Sequence, residues 1–332
     1  MLNLRCRAVL SIAVAVVATT ALVGCTDDDD TAEGTEGETI EVTHALGTTE
    51  VPVDPTRIVA LGPAELDAAL ALGAPVVGAA SNGTDAGIAP WTEALEGADD
   101  VTLLTVEGDA LTVDLEEVAA LDPDLILAPT YYDVDAGYDQ LSQIAPTVAY
   151  QEGPVLDTWQ QVTAQVGEAL GREDQAAELV AEVDEALAAA AEEHPELDGA
   201  TYTFGYAQPT NVSVLRDPDD VMMLVPTSLG MTLSPAVLAL PEGESFAVDV
   251  SFEQLDVLDA DVLALYGGAD PTVQSALEAS PLYTSLPVVT RGAVVEYDDD
   301  TFMAVRQPTS ASIPWVIETV VPRYAAAVAA QG

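Results

Sequence analysis

Hydrophobic and polar positions divide the chain into an apolar run, a polar gap and about 290 residues of mixed pattern. From Ala8 to Gly24 no charge interrupts the run, which is shorter than the roughly 20 residues a spanning helix needs. Beyond the gap, short apolar runs alternate with helical periods, the pattern of an α/β chain. Ile58 to Leu61 reads as a buried strand, Glu65 to Leu72 as a helix closed by Gly73, and Val76 to Ala80 as the next strand. Asp114 to Leu121 reads as a short helix, and Asp122-Pro123-Asp124 delivers the chain into a buried strand over Leu125 to Ala128. Val155 to Leu170 and Glu173 to His194 read as helices. The second would be about 33 Å long at 1.5 Å per residue. Its Ala176, Leu179, Val180, Val183 and Leu187 form one continuous apolar stripe.

One of these patterns returns. The segment from Glu116 to Ile126, "EEVAALDPDLI", has a counterpart from Glu253 to Leu263, "EQLDVLDADVL", offset by 137 residues. Downstream, "QIAPTVAY" ends at Tyr150 and "SLPVVTRGAVVEY" ends at Tyr297. An ordered pair of matches predicts two lobes of similar build, at residues 40–154 and 198–332. The helices of residues 155–197 connect them, and a rigid rod restricts hinge motion more than flexible strands would.

Charge narrows the function. Eight arginines, no lysine and 57 acids give a net charge of -49. Such a chain is a poor partner for nucleic acid or anionic membrane surfaces. Most of these acids read as a solvated surface. Two histidines, His44 and His194, exclude a three-histidine metal cage, and neither is well placed as the base of a Ser-His-Asp arrangement. Without lysine there is no Walker A motif, and neither GxGxxG nor GxSxG occurs. Enzyme readings therefore fall away, and no cofactor is expected.

The amino-terminal end carries its own signal. Arg5 and Arg7 precede the apolar run, giving the basic and hydrophobic regions of an export signal over residues 1–24. Leu22-Val23-Gly24-Cys25 resembles a bacterial lipobox, in which cleavage precedes the cysteine and its sulfur is acylated. An ordinary signal peptide, or an anchor helix with an incidental cysteine, is the alternative reading. Thr26 to Thr39 carries seven acids and two glycines among fourteen residues. It reads as a self-repelling tether with a reach on the order of 20 Å.

Six segments carry a family resemblance: "RIVALGPAELDAALALGAPVVGAA" (57–80), "EEVAALDPDLILAPT", "YDQLSQIAPTVAY", "WQQVTAQVGEALGREDQAAELVAEVDEALAA", "FEQLDVLDADVLALY" and "SIPWVIETVVPRYAAA". In this order they resemble the iron–siderophore substrate-binding lipoproteins of ABC importers, and more narrowly an actinobacterial-type branch. The resemblance implies two α/β lobes with a single helical crossover, ligand held in the cleft, and modest closure. Iron would arrive only inside the chelate, so no resident metal is implied. Its partners would be a ferric siderophore and the importer's permease subunits, the protein being a lipid-anchored, extracytoplasmic monomer. Haem or cobalamin binding by the same fold, with Tyr131 as a haem ligand, is one alternative, and a lipid-anchored sensor module is another.

Ligands of α/β sheets sit beyond the carboxyl ends of strands. That selects Tyr131 and Tyr132, then Tyr206 with Gln208 and Asn211, and Tyr266. Each aromatic could equally pack into a core, although adjacent tyrosines cannot both enter the same one. Trp91 matches a recurrent aromatic of the family after a glycine-rich loop. Of the arginines, Arg57, Arg172, Arg291 and Arg323 have structural explanations. Arg216 and Arg306 fall where relatives carry cleft residues, and each could instead pair with Asp217 or Asp300. Relatives with an arginine after the "PDLI" strand differ from this chain, which has tyrosine there. With the acidity, this favours hydroxamate or mixed chelates over anionic ones. The family also presents one acid on each lobe to the permease. The matching positions are Asp67, with Glu65 as its near alternative, and Glu253.

Overall fold

The computed structural model describes residues 38–80, 87–107, 112–153, 156–241, 247–268 and 270–330. The export signal, Cys25 and the tether as far as Gly37 lie outside them. Thr39, read from sequence as the last tether residue, opens a hairpin of β1 (Thr39–His44) and β2 (Gly47–Pro52), where it pairs with Pro52. Thr49 Oγ1 donates to Thr147 O at 2.7 Å, which pins this hairpin to the lobe that follows.

The chain then runs through β3 (Ile58–Ala60), α1 (Pro63–Ala71), β4 (Val76–Ala80), the helical turn α2 (Pro90–Glu93) and β5 (Thr102–Leu104). It continues through a small ladder of β6 (Val106–Glu107) and β7 (Thr112–Val113), then α3 (Leu115–Ala120), β8 (Leu125–Leu127), α4 (Val134–Ile144) and β9 (Thr147–Val148). Five of these strands form a parallel sheet in the order β5-β4-β3-β8-β9. All three residues of β3 and of β8 are buried, as expected for strands covered on both faces. Gly73, at φ +71°, ends α1 in the left-handed region that favours glycine.

The second sheet takes β10 (Thr201–Ala207), β11 (Asn211–Leu215), β12 (Thr232–Leu233), β13 (Ala247–Ser251), β14 (Val262–Tyr266) and β15 (Val294–Tyr297). Its order is β13-β11-β10-β14-β15, with β12 beside β10. β10, β12, β14 and β15 are parallel, whereas β11 is antiparallel to both of its neighbours, β10 and β13. The sequence repeat has a physical role in this pairing. Asp124 accepts hydrogen bonds from Thr56 N at 2.7 Å and Arg57 N at 2.9 Å, just ahead of β3. Asp261 accepts from Thr201 N at 2.7 Å and Thr201 Oγ1 at 2.8 Å, at the head of β10. In both lobes the second aspartate of LDxD clamps the parallel neighbour of the strand it precedes.

Two helices join the lobes. α5 (Trp159–Ala169) starts later than the apolar pattern suggests, because Thr158 and Gln161 close a capping box. α6 (Glu173–Glu193) is the long crossover. Its Ala176 packs into the first lobe's core, and Val183, Leu187 and Ala190 pack into the second. One apolar stripe thus serves both cores.

Candidate functional site

Between the lobes lies a cavity of about 880 Å³. Pro63 and Ala64 at the start of α1, with Thr130 and Tyr132 beyond β8, form its first-lobe wall. Leu156 to Gln160 line it from the connection, and Val221, Met223 and the Arg306–Pro308 segment line it from the second lobe. A smaller pocket of about 380 Å³ runs on between Tyr206, Ser213, Asp249 and Phe302. Arg306 belongs to both walls.

The cleft carries exposed apolar surface from three parts of the chain. Tyr132 is 62% exposed, Leu156 68% and Val221 38%, and all three line the larger cavity. They come from the first lobe, the connection and the second lobe. Trp159 lies in the same wall, and its buried Nε1 has no hydrogen-bond partner among the described residues. Four carboxylates line the two compartments, Asp157, Asp219, Asp220 and Asp249, against the single guanidinium of Arg306. Asp157 accepts from Gln151 N and Glu152 N, and Asp220 caps the turn at Met222 N, so both are held in place by backbone.

The sequence-selected residues divide. Tyr132, Tyr206, Gln208 and Arg306 stand on the walls. Tyr266 stands one layer behind, stacked on Phe302 at 4.1 Å and on Tyr206 at 5.2 Å, with its hydroxyl donating to Asp299. Burial and that carboxylate hold the Tyr266 phenol above its usual range. Tyr131 is 4% exposed, and its hydroxyl accepts from Val113 N at 3.1 Å. It is a core residue and not a cleft contact, because the turn after β8 sends neighbouring side chains to opposite sides. Arg216 also leaves the cleft. Its guanidinium donates to Leu240 O at 3.0 Å and Leu238 O at 3.4 Å, binding the end of a helical turn over Pro235–Leu238. Cys25 and residues 81–86 of the loop before Trp91 lie outside the described residues.

Two further expectations are corrected together. Asp67 and Glu65 are both fully buried and cannot meet a permease. Glu65 accepts from Thr130 N and Oγ1, and the site is so tight that a Cβ on Gly62 would meet Thr130 Oγ1 at 2.1 Å. Asp67 accepts from Trp91 Nε1 at 3.1 Å, from Thr92 Oγ1 at 2.6 Å and from Thr309 Oγ1. Trp91 is therefore a buried strut and not a ligand contact, with its ring 5.3 Å from Trp315. Burial raises Asp67 from its usual 3.8 to about 6 and Glu65 from 4.5 to about 7. Thr309 and Trp315 follow the second sheet in the chain, so this cluster ties the lobes together a second time. Glu253 is exposed, as a docking residue requires.

Sequence reasoning missed Leu156, Trp159, Val221 and Asp249. Leu156 and Val221 flank or open short turns and Trp159 opens α5, and at such ends helical periodicity does not say which side chain meets the cleft. Asp249 could have been found as the polar position of an alternating strand, "AVDVS".

Two α/β lobes, one helical crossover and an open cleft between them define a solute-binding protein. The family model described as "Periplasmic binding protein" matches residues 58–301, and the chain belongs to that family. Among curated relatives, the ferric enterobactin-binding periplasmic protein FepB of Escherichia coli O6:H1 is 30% identical over 277 residues, covering 79% of this chain and 85% of that protein. Among solved structures, Streptococcus pneumoniae PiaA in complex with ferrichrome has a TM-score of 0.68 at 27% identity, covering 88% of this chain and 99% of that one. A periplasmic solute binding protein from Mycobacterium smegmatis has a TM-score of 0.72 at 27% identity, covering 87% and 99%.

Proposed function

We propose that this protein captures a ferric siderophore outside the cytoplasm and delivers it to an ABC importer. The observation that carries the reading is the 880 Å³ interlobe cavity with its apolar rim of Tyr132, Leu156 and Val221. That volume falls in the range of small-molecule sites, roughly 300–1,000 Å³. A rim of this kind suits the outer shell of a chelate whose polar atoms face the iron. The names of FepB and of the ferrichrome complex of PiaA support the ligand class. Four wall carboxylates against one guanidinium favour neutral or cationic hydroxamate complexes over catecholates. The haem reading loses the axial ligand named for it, since the Tyr131 hydroxyl is buried and engaged.

The protein acts as a carrier and not as a catalyst, iron entering only as cargo inside the chelate. We read it as a monomer held to the membrane by acylated Cys25, without nucleic-acid partners. Permease docking falls to Glu253 and, in the first lobe, to Glu116, its counterpart in the internal repeat and likewise exposed. Trp159 on the cavity wall makes intrinsic fluorescence a direct readout. Titration with ferric hydroxamates, catecholates, citrate, haem and cobalamin should quench it most strongly with a hydroxamate. Saturable binding of haem or cobalamin alone would replace this reading.

A further inference from the structure

The smaller pocket holds an arrangement that the chelate itself does not explain. Strand register brings Asp249 of β13, Ser213 of β11, Tyr206 of β10 and Tyr266 of β14 into one transverse row, each the direct partner of the next. Their neighbours Val212, Val214 and Val250 point into the core, so the row occupies the opposite face of the sheet. Along it, Gln208 Nε2 donates to Ser213 Oγ at 2.9 Å, and Ser213 Oγ donates to Asp249 Oδ1. This chain of donors orients the carboxylate and occupies one of its oxygens. Asp249 lines a pocket of about 380 Å³ together with Tyr206 and Phe302.

A carboxylate beside aromatic faces is the chemistry of a protonated amine. The acid supplies a charge-assisted acceptor, and ring faces attract a cation within about 6 Å of their centroids. The pocket's other charged group is Arg306, which stands where the two compartments meet. There a guanidinium suits the oxygens of a chelate in the larger cavity, and Asp249, which lines only the smaller pocket, is the acid of that compartment. A compact anion would find Asp249 opposed to it, and a neutral arm would leave the oriented oxygen unused.

We infer that the smaller pocket is a subsite for the protonated amine arm of the ligand, with Asp249 as its receptor. The ligand is then a linear ferric hydroxamate bearing a primary ammonium, an identification that rests on the siderophore reading above. The test uses a linear ferric tris-hydroxamate with a free primary amine and the same complex acetylated at that nitrogen. Dissociation constants come from tryptophan quenching of the wild-type protein and of Asp249→Asn. The wild type should bind the amine form about tenfold more tightly, a typical worth of one exposed charge-assisted contact. In Asp249→Asn that ratio should fall to near one, chiefly through weaker binding of the amine form. Equal wild-type affinities, or an unchanged ratio in the variant, would overturn the subsite while leaving the siderophore reading intact. Binding of neither complex would remove both. The wild-type comparison stands by itself should the variant fold poorly, and matched thermal unfolding of the two proteins checks that point.

Discussion

Asp67 and Glu65 are buried carboxyls with no cation beside them among the described residues, and their proton uptake has a consequence for stability. Each is raised in the folded chain, Asp67 to about 6 from 3.8 and Glu65 to about 7 from 4.5. The folded form therefore holds protons that the unfolded chain has released. Their contribution is complete below about pH 4 and is lost as pH rises through 7. Between these limits the pair costs several kcal/mol, at about 1.4 kcal/mol per unit of pKa difference. Thermal unfolding should thus occur at higher temperature at pH 5 than at pH 8, and Asp67→Asn with Glu65→Gln should flatten that dependence. An unchanged slope in the double variant would assign it to surface repulsion. Tyr131 and Tyr132 offer a second separation at this scale. Tyr132→Ser should weaken ligand binding about tenfold with little change in melting temperature, whereas Tyr131→Ser should cost about 3 kcal/mol of stability as a core truncation. Their adjacency was visible in the sequence, and so was the need for them to part. Which one enters the core was not, because that depends on the turn after β8. Asp67 misled for a related reason. Its place on a helix near the strand ends suggests a surface, and its three donors come from as far away as Thr309.

At the scale of elements, the strands and connecting helices were largely legible, because buried parallel strands and a long amphipathic helix carry strong periodic signals. β3, β4, β8 and α6 fall within a residue or two of the pattern. The first hairpin was not legible, because its strands "TIEVTH" and "GTTEVP" set few apolar residues among polar ones. The repeat was the most informative feature, since it encodes a shared clamp, Asp124 on Thr56 and Asp261 on Thr201. It also supplies the docking prediction that Asp67 could not. Glu116→Arg and Glu253→Arg should each abolish uptake in cells while leaving the dissociation constant for ligand unchanged. Weakened binding would mean that the residue supports the cleft. The walls of the cleft were only half legible. Strand ends pointed to Tyr132 and Tyr206, but Leu156 lies just ahead of α5 and Val221 opens a short helical turn, where only the fold decides what is exposed.

At the scale of the molecule, charge and the proposed anchor govern the expectations. Removal of Arg5 and Arg7 with the proposed signal would leave six arginines against 57 acids. At physiological ionic strength such a field is screened beyond about 8 Å, so it acts on approach more than on the bound state. Association rates of a tris-catecholate complex should rise as salt is added, and those of a cationic hydroxamate should fall; stopped-flow quenching distinguishes the two. Cys25→Ala should yield a folded domain that leaves the membrane fraction, since the tether offers nothing else for lipid to hold. Retention of the cleaved variant would point to another anchor. The link from Asp67 to Thr309, backed by Trp91 on Trp315, bears on how such a domain moves. A body joined to another at one point can swing in any direction, whereas a body joined at two turns only about the line between them. The crossover helix is one such point and the buried carboxylate is the other. Their separation leaves a single rotation axis, so any narrowing of the cleft on ligand capture should be a twist of one lobe about that line.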